Sequence, residues 1–170
     1  NAIQAIESAS NPDGLVEVVV KRGKQLDLED PIPEIDGFEI SDNGVGFNDK
    51  NRDSFDTLYS AHKISEGGKG FGRFTCLKYF EDMEVESTFL DDGVFLDRTF
   101  KMGKDNEIII HENIVASTKQ ETGSKIRLVK LKRVKFPEKG LHTIARVLVE
   151  RLLPFFVSDN KKSPKIVLRE

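Results

Sequence analysis

The sequence has few of the residues that give covalent or metal-based stability. Its one cysteine, Cys76, excludes an internal disulfide and suits a reducing compartment. Its three histidines, His62, His111 and His142, are far apart and lack metal-ligand spacing. No apolar run is long enough to cross a membrane, because Arg151, Pro154 and Asp159 interrupt the most hydrophobic region. No signal peptide is visible, and a chain that opens inside a helical pattern leaves the upstream question open. Neither sign of charge dominates: 26 Lys and Arg stand against 29 Asp and Glu, a net charge of -3. That balance is no global footprint for nucleic acid or an anionic membrane. Internal repeats, low-complexity tracts and linkers are also lacking.

What is present describes an ordinary soluble globular chain. It has 170 residues, 38% hydrophobic and 32% charged, enough for one domain over residues 1–170 with a real core. Ala2, Ile3, Ile6 and Ala9 recur at helical spacing, and the NPDG at 11–14 stops that helix. Strand patterns follow at 15–22 and 38–41, and a short helical signal unites Phe55, Leu58 and Tyr59. A helix after Gly72 turns Phe74, Leu77 and Tyr79 or Phe80 toward a core. Strand-compatible runs occupy 82–90, 94–101, 107–115 and 124–132, then a helix at 139–153 and a β-prone KIVL at 165–168. Contiguous strands between flanking helices suggest an α+β fold.

Three loops have the chemistry of a site, and each has a plain structural reading beside it. Asp42-Asn43-Gly44-Val45-Gly46-Phe47 contains Asn-Gly, the standard hairpin turn. Alternatively, Asp42 is a strand-end carboxylate accepting from a buried donor, with two glycines letting the backbone approach a ligand. Gly67-Gly68-Lys69-Gly70-Phe71-Gly72 precedes a helix, so its amides and Lys69 suit an anion such as phosphate. A flexible linker is the alternative, opposed by Phe71 and the adjoining helix. The loop is neither a Walker loop nor a G-x-G-x-x-G fingerprint. Thr122-Gly123-Ser124-Lys125-Ile126 reads equally as a turn entering a strand.

Taken in order, these stretches resemble the GHKL (Bergerat-fold) ATPases, the group of gyrase B, the ninety-kilodalton heat-shock chaperones, histidine kinases, MutL and the MORC proteins. Asn1, with Ala2 and Ala5, is similar to the asparagine box of the first helix. Asp42 to Gly46 matches D-x-G-x-G, Gly67 to Gly72 matches G-x-x-G-x-G, and Gly123 to Ile126 matches the late G-T-x-I motif. The matches span about three quarters of the chain. Two departures stand out: Gln4 replaces an Asp that many members carry, and Ser124 replaces Thr.

The resemblance implies a two-layer α/β sandwich, with helices on one face of a mixed sheet, binding ATP and Mg²⁺. Asn1 would offer its carbonyl oxygen to Mg²⁺, an ion that keeps few protein ligands. Asp42 would accept from the adenine amine, with Ser124 and a water completing the network, and would disfavour guanine's carbonyl. Val45 and Phe47 would border the base beside Ala5, Gly44 and Gly46. Gly68, Gly70 and Gly72 would bring amides to the phosphates, flanked by Lys69 and Phe71. Lys63, in Ser60-Ala61-His62-Lys63, resembles the lysine some members place near the γ-phosphate, within a lid over about 47–66. The general base of hydrolysing members lies one helical turn before the asparagine, so it is expected upstream of Asn1.

The resemblance favours an ATP hydrolase of the gyrase, chaperone, MutL and MORC branch, with hydrolysis driving lid closure and conformational change in the full-length protein. A histidine-kinase-type domain is the alternative, opposed by the absence of G-x-G-L-G-L and by the Gly123-Ser124 motif. A nucleotide-gated binding module without turnover is the third. Further domains of the parent protein, a cytoplasmic location and no membrane partner are expected, and an ATP-dependent homodimer is left open. The basic run Lys125, Arg127, Lys130, Lys132, Arg133, Lys135 and Lys139 reads as a solvated strand edge, with a nucleic-acid surface as the alternative. Alternation slips near Val129, predicting a bulge or strand end. Cys76 is expected in or near the core.

Overall fold

Alternating Val and Ile residues decide the architecture. The structure is a computed structural model and describes residues 1–24, 32–56, 72–104, 107–132, 139–157 and 163–170. The elements run α1 (Ala2–Ala9), β1 (Leu15–Arg22), β2 (Ile35–Asp42), α2 (Asp49–Asp56), α3 (Gly72–Tyr79) and β3 (Phe80–Asp91). They continue with β4 (Val94–Met102), β5 (Ile109–Ala116), β6 (Gly123–Leu131), α4 (Leu141–Val157) and β7 (Lys165–Arg169). The strands form one seven-stranded sheet in the order β5-β4-β3-β6-β2-β1-β7. All pairings are antiparallel except β1 with β7, so the sheet is mixed and the fold is α+β.

Period-two alternation gives the sheet two chemically different faces. Ile40, Ile126, Val85 and Phe100 are successive cross-strand partners on one face, and Phe38, Leu128 and Met83 form the next row. Met83, Val85, Phe100, Met102 and Ile109 make a buried cluster, covered by Phe55 of α2 and by Cys76 and Leu77 of α3. Cys76 is half-buried there, and burial pushes its thiol pKa up. Phe80 is buried as the first residue of β3, in edge contact with Phe38, while Tyr79 at the end of α3 is exposed.

The other face is charged and internally paired. Glu39 on β2 meets Lys125 and Arg127 of β6 at 3.5 and 3.2 Å, Arg127 also binds Glu86 of β3, and Glu84 meets Lys101 at 2.7 Å. This corrects the strand-edge reading of the basic run: β6 is a central strand, and Lys125 and Arg127 lie on an exposed sheet face, neutralised by glutamates on neighbouring strands. Residues 133–138 of that run lie outside the described residues. Near Val129 the distortion is a left-handed Lys130 (φ 54°), just before β6 ends.

Three further expectations shift. Asn43-Gly44 is not a hairpin turn, because β2 leads instead into α2, and its neighbours are β1 and β6. The final helix continues through Pro154 to Val157. No residue of α4 is buried, so water can serve the carbonyl that a proline leaves unpaired. The start of the expected lid is helix α2, with Asn48 Oδ1 accepting from Asn51 N–H at 2.9 Å as its cap. Leu58 and Tyr59 lie outside the described residues. Among the described residues, no helix is long and apolar enough to cross a membrane.

Candidate functional site

The apolar face of the sheet turns polar in a single row at one end. Asp42, Ser124, Ser87 and Arg98 are successive cross-strand partners on β2, β6, β3 and β4, two residues along from the row of Ile40, Ile126, Val85 and Phe100. Directly paired residues share a face, so four polar side chains stand where alternation calls for apolar ones. Ser87, Ser124 and Arg98 are buried. Buried polar groups persist where they are hydrogen-bonded or held for a ligand.

Helix α1 and the loop after β2 wall this row. Asn1 caps α1 without a side-chain bond to the helix, and its carbonyl accepts from Ala5 N–H at 2.9 Å. The Ala5 carbonyl accepts from Val45 N–H at 3.1 Å. Asn43 fastens the loop beneath: Oδ1 accepts from Leu15 N–H at 2.7 Å and Nδ2 donates to the Asp13 carbonyl at 3.0 Å. Asn11 Nδ2 in turn donates to the Asn43 carbonyl at 3.1 Å. The NPDG segment and DNG loop therefore hold each other, joining the end of α1 to the end of β2.

The two loop glycines are required by space. A Cβ on Gly44 would stand 2.5 Å from the Ala5 carbonyl carbon. Gly46 has φ +75°, and a Cβ there would stand 2.3 Å from the Thr88 carbonyl oxygen and 2.9 Å from Ser87 Oγ. This close approach lets Phe47 N–H donate to Ser87 Oγ at 2.8 Å. Arg98 Nη1 donates to the Phe47 carbonyl at 2.7 Å, so both sides of Phe47 are held. The Phe47 ring packs edge-on to Phe55 and Phe100, at centroid distances of 5.7 and 5.4 Å.

Asp42 is the reactive-looking group of the site. Its Oδ1 accepts from Gly44 N–H at 3.0 Å, and among the described residues nothing donates to Oδ2. Burial pushes its pKa up to about 6, against lowering by the Gly44 N–H. Ser124 Oγ lies 3.2 Å from Ser87 Oγ, and Ser87 Oγ donates to the Gly123 carbonyl at 2.8 Å. The arrangement offers a half-satisfied carboxylate and a buried hydroxyl beside a helix N-terminus.

Of the residues expected from sequence, the fold assembles Asn1, Ala5, Asp42, Gly44, Val45, Gly46, Phe47 and Ser124 around one end of the sheet. Gly72 opens α3. Lys63, Gly68, Lys69, Gly70 and Phe71 lie outside the described residues. Sequence reasoning missed Asn43, Ser87 and Arg98. The last two left a readable signal, a serine after Met83 and Val85 and an arginine before Phe100 and Met102 at the inward parity of their strands.

Arg98 is only 2% exposed, and it connects this row to α2. It pairs with Asp49 and with Glu112, and its guanidinium lies 4.7 Å from the Phe89 ring centroid. Arg52 of α2 reaches the same Glu112 at 3.0 Å. Nε of Arg98 is within 3.2 Å of Glu112 Oε1, yet the angle is too poor for a hydrogen bond. Its contribution there is electrostatic.

No protein-family model matches the sequence, and no curated protein matches it either. Solved structures do match. The ATPase region of Saccharomyces cerevisiae topoisomerase II superposes with a TM-score of 0.59 at 14% identity, covering 95% of this chain and 43% of that one. The ATPase and transducer domains of DNA topoisomerase II from Balamuthia mandrillaris give 0.57 at 15% identity, covering 98% and 44%. The chain thus spans less than half the length of these neighbours. The chain therefore shares the fold of these ATPase regions.

Proposed function

We propose that the chain is the ATP-binding domain of a GHKL ATPase, and that the full-length protein hydrolyses ATP. The observation that carries this reading is Asp42, a half-buried carboxylate whose Oδ1 alone accepts from the chain, beside the buried Ser124 at the end of an otherwise apolar face. A carboxylate there accepts an exocyclic amine and repels a carbonyl. Gly44 and Gly46 let the loop after Asp42 lie directly against α1 and the end of β3, which holds the carboxylate in place for a base edge.

The donor set fits the magnesium ion that accompanies ATP. Asn1 stands at the N-terminus of α1 and carries an amide oxygen, a ligand type suited to an ion that keeps few protein ligands. When bound, Mg²⁺ neutralises phosphate charge. The chain's own residues hold and orient the base, through Asp42 and Ser124, and fix α2 over the sheet through Arg98 and Phe55. Closure of the 47–66 segment over ATP, with Lys63 and the Gly68–Gly72 loop at the phosphates, belongs to this reading. So do ATP-dependent pairing of two copies and attachment to further domains, both of which rest on the likeness to the longer topoisomerase II neighbours.

The test has two arms. Calorimetric titration should show ATP binding that Asp42→Asn weakens at least about tenfold, the loss of one charge-assisted hydrogen bond. Unchanged affinity removes the adenine assignment. Steady-state phosphate release by the full-length protein decides between an ATPase and a binding module that switches shape without turnover.

A further inference from the structure

Ser87 lies outside the motifs of the nucleotide site, yet its hydroxyl sets the chemistry of Ser124. A serine hydroxyl has one hydrogen and two lone pairs. Phe47 N–H donates to Ser87 Oγ, and that oxygen donates its own hydrogen to the Gly123 carbonyl, both at 2.8 Å. Ser124 Oγ lies farther away, at 3.2 Å. With its hydrogen committed to Gly123, Ser87 has only a lone pair left for Ser124. Ser124 is therefore the donor of that pair. The serines are only 4% and 8% exposed, which limits the partners that compete for their hydroxyls. Ser124 is left with lone pairs alone for a ligand. Its register partner Asp42, when ionised, also offers only lone pairs.

We propose that Ser87 is a specificity-determining residue for the nucleobase: by fixing Ser124 as an acceptor beside the acceptor Asp42, it makes the site take a base edge carrying amino hydrogens and reject one carrying a carbonyl. The inference rests on the reading of Asp42 as the base-binding carboxylate. A hydroxyl free to rotate serves either kind of edge, because it donates to a carbonyl as readily as it accepts from an amine. Removing that freedom converts a tolerant group into a discriminating one. Gly46 is part of the device, since any side chain at its φ of +75° would collide with Thr88 and Ser87 and lift Phe47 N–H away.

ATP and ITP make the test, because ITP exchanges the exocyclic amine for a carbonyl. Their dissociation constants are measured by calorimetry for the unaltered protein and for Ser87→Ala, Ser87→Thr, Ser124→Ala and Asp42→Asn. In Ser87→Ala the preference for ATP over ITP should fall about tenfold, the worth of one reoriented hydrogen bond. Ser87→Thr keeps the hydroxyl and should restore it. A purely structural role would weaken both nucleotides alike, and an unchanged ratio in folded Ser87→Ala overturns the proposal. Should Ser87→Ala fail to fold, Ser124→Ala tests the same point. It removes an acceptor, so ATP should lose more affinity than ITP, whereas a larger loss for ITP overturns the proposal. Equal binding of ATP and ITP by the unaltered protein, or ATP affinity indifferent to Asp42→Asn, overturns the base-site reading itself and the proposal with it.

Discussion

Gly44 and Ala5 meet backbone to backbone. The Val45 N–H beside Gly44 bonds the Ala5 carbonyl at 3.1 Å, and a Cβ on Gly44 would stand 2.6 Å from the Ala5 Cβ and 2.8 Å from its oxygen. Two small residues, far apart in sequence, thereby set the gap between α1 and the loop that presents Asp42.

Gly44→Ala should cost about 1–3 kcal/mol, because the obstructing atoms belong to backbone and cannot rotate aside. Gly46→Ala should cost more, since about 1 kcal/mol or more of left-handed strain adds to a Cβ contact of 2.3 Å. Urea denaturation midpoints check both. Equal, small shifts would mean that the loop stands off from its neighbours.

Asp42 predicts opposite pH responses for stability and binding. Its pKa is about 6 against an ordinary 3.8, so the folded protein holds this proton more tightly than the unfolded chain. Stability from this group is therefore full below about pH 4 and falls as pH rises toward 6. Asp42→Asn should stabilise the ligand-free protein at pH 7 by up to about 3 kcal/mol while weakening ATP binding. A variant that is less stable at pH 7 contradicts this.

Binding runs the other way, because an amine donor favours the ionised carboxylate. ATP affinity should drop about tenfold between pH 7.5 and 5, as protonation withdraws the acceptor. Calorimetry on the Asn variant isolates the effect, since only the ligand's own titration remains there. A step of equal size in both proteins would assign it to the nucleotide.

Arg98 and Arg127 are both ion-paired, yet they should differ in worth. Arg98→Met strands the Phe47 carbonyl at a position 2% exposed and leaves Glu112 only Arg52 as a partner, and should cost about 2–4 kcal/mol. Arg127→Ala on the open sheet face should cost no more than about 1 kcal/mol. Thermal denaturation of the two variants compares them, and equal losses would show that burial does not separate them.

The sequence by itself determined a great deal here. The β-rich composition of LVEVVVKR and the strand-compatible runs between 82 and 132 defined the strands, since β propensity and patterning are local properties of the chain. The polar strand-end Asp42 and the two glycines after it were legible as a site because short-range chemistry explains them. Strand order was not legible. β6 looked like an edge by its lysines, and only the tertiary pairing put it between β3 and β2, where Glu39 and Glu86 neutralise it. Ser87 and Arg98 broke the inward parity of their strands legibly, but their meaning was hidden, because it depends on the register that sets them beside Ser124 and Phe47. The chain's local pattern chose the elements. Long-range pairing decided which side chains stand together at the end of the sheet, because register joins residues far apart in sequence.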